Sequence, residues 1–462
     1  MLTQLRIRNF KSWRDTGEVR LAPLTVIFGA NSAGKSSIGH LMLALKQTAL
    51  SSDRNRALDL GDDNSLIDLG TFADIVHKHD ESQPLDFNLR WALDKDLEIR
   101  NAIRLGERFT GDSLDLNATL AVIKKGGPLE VRDIDYKLRK RDEITLEARI
   151  SKKSDGSFDL KAKPLKLVKA VGRGWSIGPP EKFYRLSERG LARFQNAGFL
   201  TDFSLATEAA LRSLYFLGPL RAPPRRIYQW SGNAPADVGP LGEFAAAAML
   251  AATQELRGLS LGKRQRLKVF SEFIADRMKA IGVIEEFRVR PIASGRKDYE
   301  VLVRTAEGDP EVKLTDVGIG VSQILPALVE AFYCPPNSTV WMEQPEIHLH
   351  PQVQAELADV FIDAIGAYEN GKPRNTQLIV ESHSEHFLNR LQRRIAERKI
   401  QADQVAIHFA NRVEGEAVLE PLRLTSDGEI ENWPENFFGD QMADVAGRML
   451  AAIERRQAAK AS

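Results

Sequence analysis

The stretch Gly29-Ala30-Asn31-Ser32-Ala33-Gly34-Lys35-Ser36 constrains this chain more than any other part of it. It fits the spacing G-x-x-x-x-G-K-[ST]. The glycines permit a tight loop whose backbone N–H groups turn inward on a phosphate, and a helix starting at the loop presents the positive end of its dipole to the same anion. In that setting Lys35 reaches the β- and γ-phosphates and the Ser36 hydroxyl coordinates Mg2+. Gly29, Ala30, Asn31, Ser32, Ala33, Gly34, Lys35, Ser36 and the adjoining Ser37 are therefore the candidate ATP-binding set. The flanks agree. Residues 24–28 are a nearly continuous apolar run, as in a strand buried on both faces, and an amphipathic helix is expected from about Lys35 to Leu50.

Composition narrows the setting. A chain of 462 residues suggests two or three units of ordinary size, and 43% hydrophobic residues suffice for a sizeable core. A net charge of +1 excludes coating of nucleic acid by bulk charge alone. With Cys334 the only cysteine, neither an intrachain disulfide nor a cysteine-built zinc site can form. No stretch approaches the roughly 18–20 apolar residues of a membrane span, and the N-terminus lacks a charged-then-apolar signal pattern. The expectation is a cytoplasmic protein with no membrane partner.

Along the chain the period of the pattern changes. Alternating segments separated by turn signals run from about Leu85 to Leu167 and read as an antiparallel β-rich section. From Thr201 to about Ile281 the chain reads as largely helical, interrupted by a turn-rich stretch at 218–240. The C-terminal third alternates strand and helix, as parallel strands with crossover helices do. The expected fold is α/β, with an N-terminal part of an ATPase domain (1–82), a β-rich lobe (83–200), a helical insertion (201–284) and the C-terminal part of the ATPase domain (285–462). No long heptad run suggests a coiled-coil arm.

A phosphate loop needs a neighbouring strand carrying an acid for Mg2+. Val340-Trp341-Met342-Glu343 ends an apolar strand in a carboxylate and leads into Gln344-Pro345-Glu346-Ile347-His348-Leu349-His350-Pro351. A second apolar strand, 378–380, leads into Glu381-Ser382-His383-Ser384. Adjacent parallel strands would bring both ends to the sheet edge where the phosphate loop sits.

Together these motifs resemble the ABC-class ATPases of the RecF and SMC group, and within it the overcoming-lysogenization-defect (OLD) proteins. The resemblance implies an ABC-type P-loop NTPase fold. It makes Glu343 the Walker B acid that holds Mg2+ and His383 a switch histidine facing the γ-phosphate. His348, Leu349 and His350 would form a loop that crosses a dimer interface. Zinc ligation by His348 and His350 lacks an evident third ligand.

Two departures from the family pattern stand out. The second carboxylate after the Walker B acid is replaced by Gln344. An amide is no general base near neutral pH, although it can orient a water, so hydrolysis is expected to be slow; Glu346 is a candidate substitute. The signature-like segment Thr315-Asp316-Val317-Gly318-Ile319-Gly320-Val321-Ser322-Gln323 keeps Gly318 and Gly320, which would leave its backbone N–H groups open to cap a partner's γ-phosphate, but lacks the serine near its start. Asp316 beside a triphosphate would be repulsive unless it points away.

Other stretches stay open. Asp74 and His77 are candidates to couple nucleotide state to the β lobe, against a surface helix. Gly218-Pro219-Leu220-Arg221-Ala222-Pro223-Pro224-Arg225-Arg226 resembles a Gly-Pro-x-Arg stretch of OLD-like relatives; its arginines could meet nucleotide, nucleic acid or a partner, or simply be solvated on a rigid turn. Residues 137–173 carry twelve Lys/Arg against five Asp/Glu, either a nucleic-acid face or solvated sheet edges. About eighty residues follow His383, too few for the Toprim nuclease of OLD proteins. The reading is a stand-alone ATPase that forms an ATP-sandwich homodimer or higher oligomer and regulates an effector protein in trans within a bacterial anti-phage or toxin-like module. A RecF-like DNA-repair ATPase and a non-hydrolysing, ATP-held scaffold are the alternatives.

Overall fold

The computed structural model describes residues 1–434 apart from 105, 173–175 and 294–296. The final helix expected from about Asp440 lies outside the described residues.

Two sheets enclose the helix that follows the phosphate loop. The first is antiparallel. Strand β1 (Leu2–Phe10) pairs with a short strand at Trp13–Asp15 and, on its other side, with β3 (Leu85–Arg100); then follow β4 (Arg108–Val122), β5 (Leu129–Lys140), β6 (Glu143–Lys152) and β7 (Phe158–Lys163). Strict alternation builds it: Leu85, Phe87, Leu89 and Trp91 are buried, while Asp86, Asn88 and Arg90 between them face the opposite, polar side. The sheet thus draws its first strands from ahead of residue 83, because β1 and β3 share one buried face.

The second sheet is mostly parallel and has six strands. In spatial order they are β8 (Leu214–Leu217), β9 (Thr339–Glu343), β10 (Gln377–Glu381), β2 (Leu24–Gly29), β11 (Val405–Val413) and β12 (Glu416–Leu422); only the last pair is antiparallel. This is the α/β arrangement expected from the sequence. Period-2 geometry sends successive residues of these strands into two cores. Ile27, Trp341 and Ile379 join the core shared with the antiparallel sheet; Val26, Phe28, Val340, Met342, Leu378 and Val380 join the core on the opposite face.

Helix α1 (Lys35–Leu50) lies between the sheets, so nearly all of it is buried, with Leu50 at its far end exposed. The amphipathic pattern expected for it is therefore not realised: a helix covered on both sides needs no polar face. Gly39 on α1 makes the close packing possible, since a Cβ there would run into the Trp341 indole.

The segment expected to be a helical insertion holds α2 (Phe199–Arg212), α3 (Ala245–Gln254) and α4 (Phe270–Ala280), but also β8, an edge strand of the parallel sheet. Its four residues begin two positions after α2 ends, with only Ser213 between them. Helices α5 (Ile319–Tyr333), α6 (Pro351–Gly366) and α7 (Glu385–Ala396) are crossover connections on the other face.

Candidate functional site

The phosphate loop joins β2 to α1 through strained backbone that its glycines relieve. Gly29 has φ 143° and a Cβ on it would strike the Ala410 carbonyl of β11; Gly34 has φ 96° and a Cβ there would strike the Ser12 side chain. Trp13 braces the helix start, its indole N–H donating to the Gly34 carbonyl (3.0 Å) and Ser37 Oγ (2.9 Å). The Lys35 ammonium donates to the carbonyls of Gly29 and Ala30, both at 2.9 Å. Burial lowers the Lys35 pKa, and the Glu381 and Glu346 carboxylates oppose that.

The parallel register sets two carboxylates side by side at one sheet edge. Glu343 ends β9 directly opposite Glu381, which ends β10, the strand between β9 and the loop-bearing β2. The Ser36 hydroxyl donates to Glu381 Oε2 (2.8 Å), and the Trp341 indole N–H donates to Glu381 Oε1 (3.2 Å). Glu343 Oε1 is buried without a hydrogen-bond partner and lies 3.8 Å from His40 Nε2 on α1. Burial pushes both acids upward, each raised further by a neighbouring carboxylate, Glu381 acting on Glu343 and Glu346 on Glu381. Burial and then Lys11 hold the His40 imidazole down at about 4, so it is neutral here.

Glu381 and His40 are site residues that sequence reasoning passed over. Glu381 carried the signal used for Glu343, an acid closing an apolar strand. His40 carried none, since its place depends on where α1 crosses β9.

The turn after β9 is tied to the turn after β10. Gln344, with φ 45°, donates its backbone N–H to the Glu381 carbonyl (2.9 Å), and its amide side chain makes no hydrogen bond among the described residues. Glu346 Oε1 accepts from Ser382 Oγ (2.8 Å) and from the His383 backbone N–H (2.7 Å). Glu346 is thus a buried brace between the two turns, with Oε2 left without a partner. The His383 ring reaches solvent; burial of part of it and the Lys35 charge lower its pKa.

Helix α5 runs against the strands, which puts its N-terminus at the same sheet edge. Gly318 is its N-cap, and a Cβ added at Gly320 would come to 3.5 Å from the His348 carbonyl and 3.6 Å from Leu349 of the same chain. Asp316 is paired with Arg226 at 2.9 Å. His350 caps α6, its Nδ1 accepting from the Gln352 N–H (3.3 Å), while the His348 side chain is exposed. Asp74 caps its own short helix, accepting from the Thr71 N–H (2.8 Å) and hydroxyl (2.6 Å). His77 bridges the Lys11 carbonyl (2.9 Å) and Glu416 of β12 (3.0 Å).

Part of the basic stretch is neutralised. Arg139 pairs with Asp115, Lys140 with Asp96, Arg149 with Asp133 and Lys152 with Glu130, each across the antiparallel sheet. Among the described residues no cluster of three or more His, Cys, Asp or Glu could hold a metal. No helix among the described residues is long and apolar enough to cross a membrane.

A family profile described as "AAA domain, putative AbiEii toxin, Type IV TA system" (AAA_21) matches residues 24–389. A second, "Protein of unknown function (DUF3696)", matches residues 400–446. No curated protein matches the chain. Similar solved structures include an SmcHead bound to the C-winged helix domain of ScpA (12% identity, TM-score 0.41, covering 92% of this chain and 98% of that one). The SMC head domain from Thermotoga maritima (11%, 0.39, 91% and 99%) is another. A third is the Smc head domain with an extended coiled coil bound to the C-terminal domain of ScpA derived from Pyrococcus furiosus (11%, 0.40, 92% and 96%).

Proposed function

The chain belongs to the AAA_21 family of ATPase domains, and from that premise we propose that it is an ABC-class, OLD-like ATPase that closes two copies around ATP and regulates an effector protein in trans. The observation that carries the reading is the meeting of Lys35 and Ser36 with Glu343 and Glu381 at one sheet edge, Ser36 already bonded to a carboxylate. The toxin-like setting rests on the family description alone, and the anti-phage setting on the resemblance to OLD proteins.

Mg2+ suits this donor set. Ser36, Glu343 and the adjacent Glu381 offer only oxygen, and Glu343 Oε1 is buried without a partner. Ser36 and Glu343 would hold the ion, with Glu381 orienting the Ser36 hydroxyl. When bound, the ion neutralises charge on the phosphate oxygens. The loop N–H groups and Lys35 bind the triphosphate, Gln344 orients the attacking water, and neutral His383 offers the terminal phosphate a hydrogen bond. The Gly318–Gly320 loop, beside His348 and Leu349, would face a second copy.

Gln344 also favours a second reading, a nucleotide-held switch with little turnover. Single-turnover hydrolysis of labelled ATP, with Lys35→Ala and Gln344→Glu alongside, separates the two. Turnover in wild type that is lost only in Lys35→Ala supports a working ATPase. Binding without turnover, restored by Gln344→Glu, supports the switch. If wild type and Lys35→Ala bind ATP equally weakly, both readings fall.

A further inference from the structure

Among the described residues, one buried cation stands out once the phosphate loop, the carboxylates and His383 have been given roles: the Arg221 guanidinium. Arg221 follows β8, the strand beside β9, so it enters from the same sheet edge as Glu343. Its backbone is pinned on both sides: the Gly218 N–H donates to the Pro240 carbonyl and the Ala222 N–H to the Leu241 carbonyl, both at 2.8 Å. Prolines at 219, 223 and 224 stiffen the stretch further. The three arginines of this stretch then part company. Arg225 is exposed and Arg226 is spent on Asp316. All three guanidinium nitrogens of Arg221 are out of reach of solvent, and none has a hydrogen-bond partner among the described residues.

A guanidinium carries five N–H donors and stays charged, and burying it unpaired is costly. Burial lowers the Arg221 pKa only to about 10, so the group is cationic at neutral pH. The acids it faces are Glu343 and Glu346, whose oxygens Glu343 Oε1 and Glu346 Oε2 are also buried and unpartnered, yet no ion pair forms between them and Arg221. Glu346 faces Lys35 as well, so the two cations approach the same acid from the loop side and from the β8 side. A planar fork of donors, rigidly mounted and unsatisfied opposite the phosphate-loop lysine, has the chemistry of a phosphoryl-oxygen clamp.

We propose that Arg221 is a phosphate-contacting residue of this site, its guanidinium bonding the terminal phosphoryl oxygens of the triphosphate held by the loop of the same chain, so that it discriminates ATP from ADP. The assignment rests on the ATP-binding reading above. It differs from that reading in what it predicts, because the loop alone binds both nucleotides through their shared phosphates.

The test measures the affinities of the full-length protein for AMP-PNP and for ADP, both with Mg2+, by competition against a fluorescent nucleotide. Wild type, Arg221→Gln, Arg221→Lys and Lys35→Ala are compared. Arg221→Gln should weaken AMP-PNP binding by about 30-fold, the scale of a charge-assisted hydrogen bond to phosphate, and leave ADP within about twofold. Arg221→Lys should recover part of the loss, because charge returns without the fork. Lys35→Ala should weaken both nucleotides. Equal losses for AMP-PNP and ADP in Arg221→Gln, or a wild-type ratio, overturn the assignment while leaving the ATP reading intact. Wild type that binds neither nucleotide overturns both. Should Arg221→Gln not melt cooperatively, Arg221→Lys carries the comparison: a reduced AMP-PNP preference supports the clamp, and an unchanged one overturns it.

Discussion

On the proposed reading, Gln344 and Glu381 would divide between them what a pair of consecutive acids would do. Gln344 sits in a left-handed turn with its amide unengaged, able to orient a water but not to take its proton. Gln344→Glu should therefore raise the single-turnover rate by about 100-fold, the lower range for a positioned general base; an unchanged rate with ATP still bound would sink that account. Glu381 instead grips Ser36. Removing its charge with Glu381→Gln leaves the hydroxyl less well aimed at a metal. Affinity for ATP with Mg2+ should fall by about tenfold, the worth of one charge-assisted hydrogen bond, while affinity in EDTA stays the same. A loss equal in both conditions would make Glu381 a structural residue only.

At the scale of elements, the loop-helix junction depends on a tryptophan from another part of the fold. Trp13→Phe keeps the packed ring but removes both indole hydrogen bonds to the start of α1. It should destabilise the protein by about 1–3 kcal/mol, read by urea denaturation, and weaken ATP binding with it. Helix α5 carries a second such feature. Glu330 lies wholly inside the core, where its Oε2 accepts from the Val238 N–H (3.1 Å). Burial, then Asp237, push its pKa up to about 8 against Lys46 and Arg374. The folded state thus favours the protonated acid. That contribution is complete below the ordinary value of 4.5 and is lost as pH rises toward about 8. Glu330→Gln should flatten the decline in melting temperature between pH 5 and pH 8; a variant that declines as steeply as wild type assigns the effect elsewhere.

For the whole molecule the question is what ATP does to assembly. The α5 N-terminus and the loop after β9 lie close together, a Cβ added at Gly320 coming within 3.5 Å of the His348 carbonyl. If a second copy docks there over bound nucleotide, saturating ATP at about 100 times its dissociation constant supplies about 2.7 kcal/mol to the assembly. Sedimentation should show a larger species with Mg2+ and AMP-PNP but not with Lys35→Ala; a nucleotide-independent mass would remove the sandwich. The antiparallel lobe points the other way for nucleic acid. Arg139, Lys140, Arg149 and Lys152 are already paired with acids on other strands of the sheet, so duplex DNA affinity should be lower and less salt-dependent than the charge of the stretch alone implies.

Local pattern was enough to read the phosphate loop, its flanking strand and helix, the alternating β section and the two apolar strands ending in Glu343 and Glu381, because each is written in consecutive residues. The fold class followed from their order. Pattern failed where burial comes from elsewhere. It made α1 amphipathic because periodicity does not reveal a second covering sheet, and it passed over β8 because four residues abutting a helix carry no period of their own. It left the basic stretch ambiguous because ion pairs across strands have no sequence spacing. Only the tertiary structure could place His40 beside Glu343, turn Glu346 into a brace, pair Asp316 with Arg226 and leave the Arg221 guanidinium buried without a partner among the described residues. Each of these depends on residues far apart in the chain meeting at one sheet edge, where proximity rather than residue type decides what a charged group does.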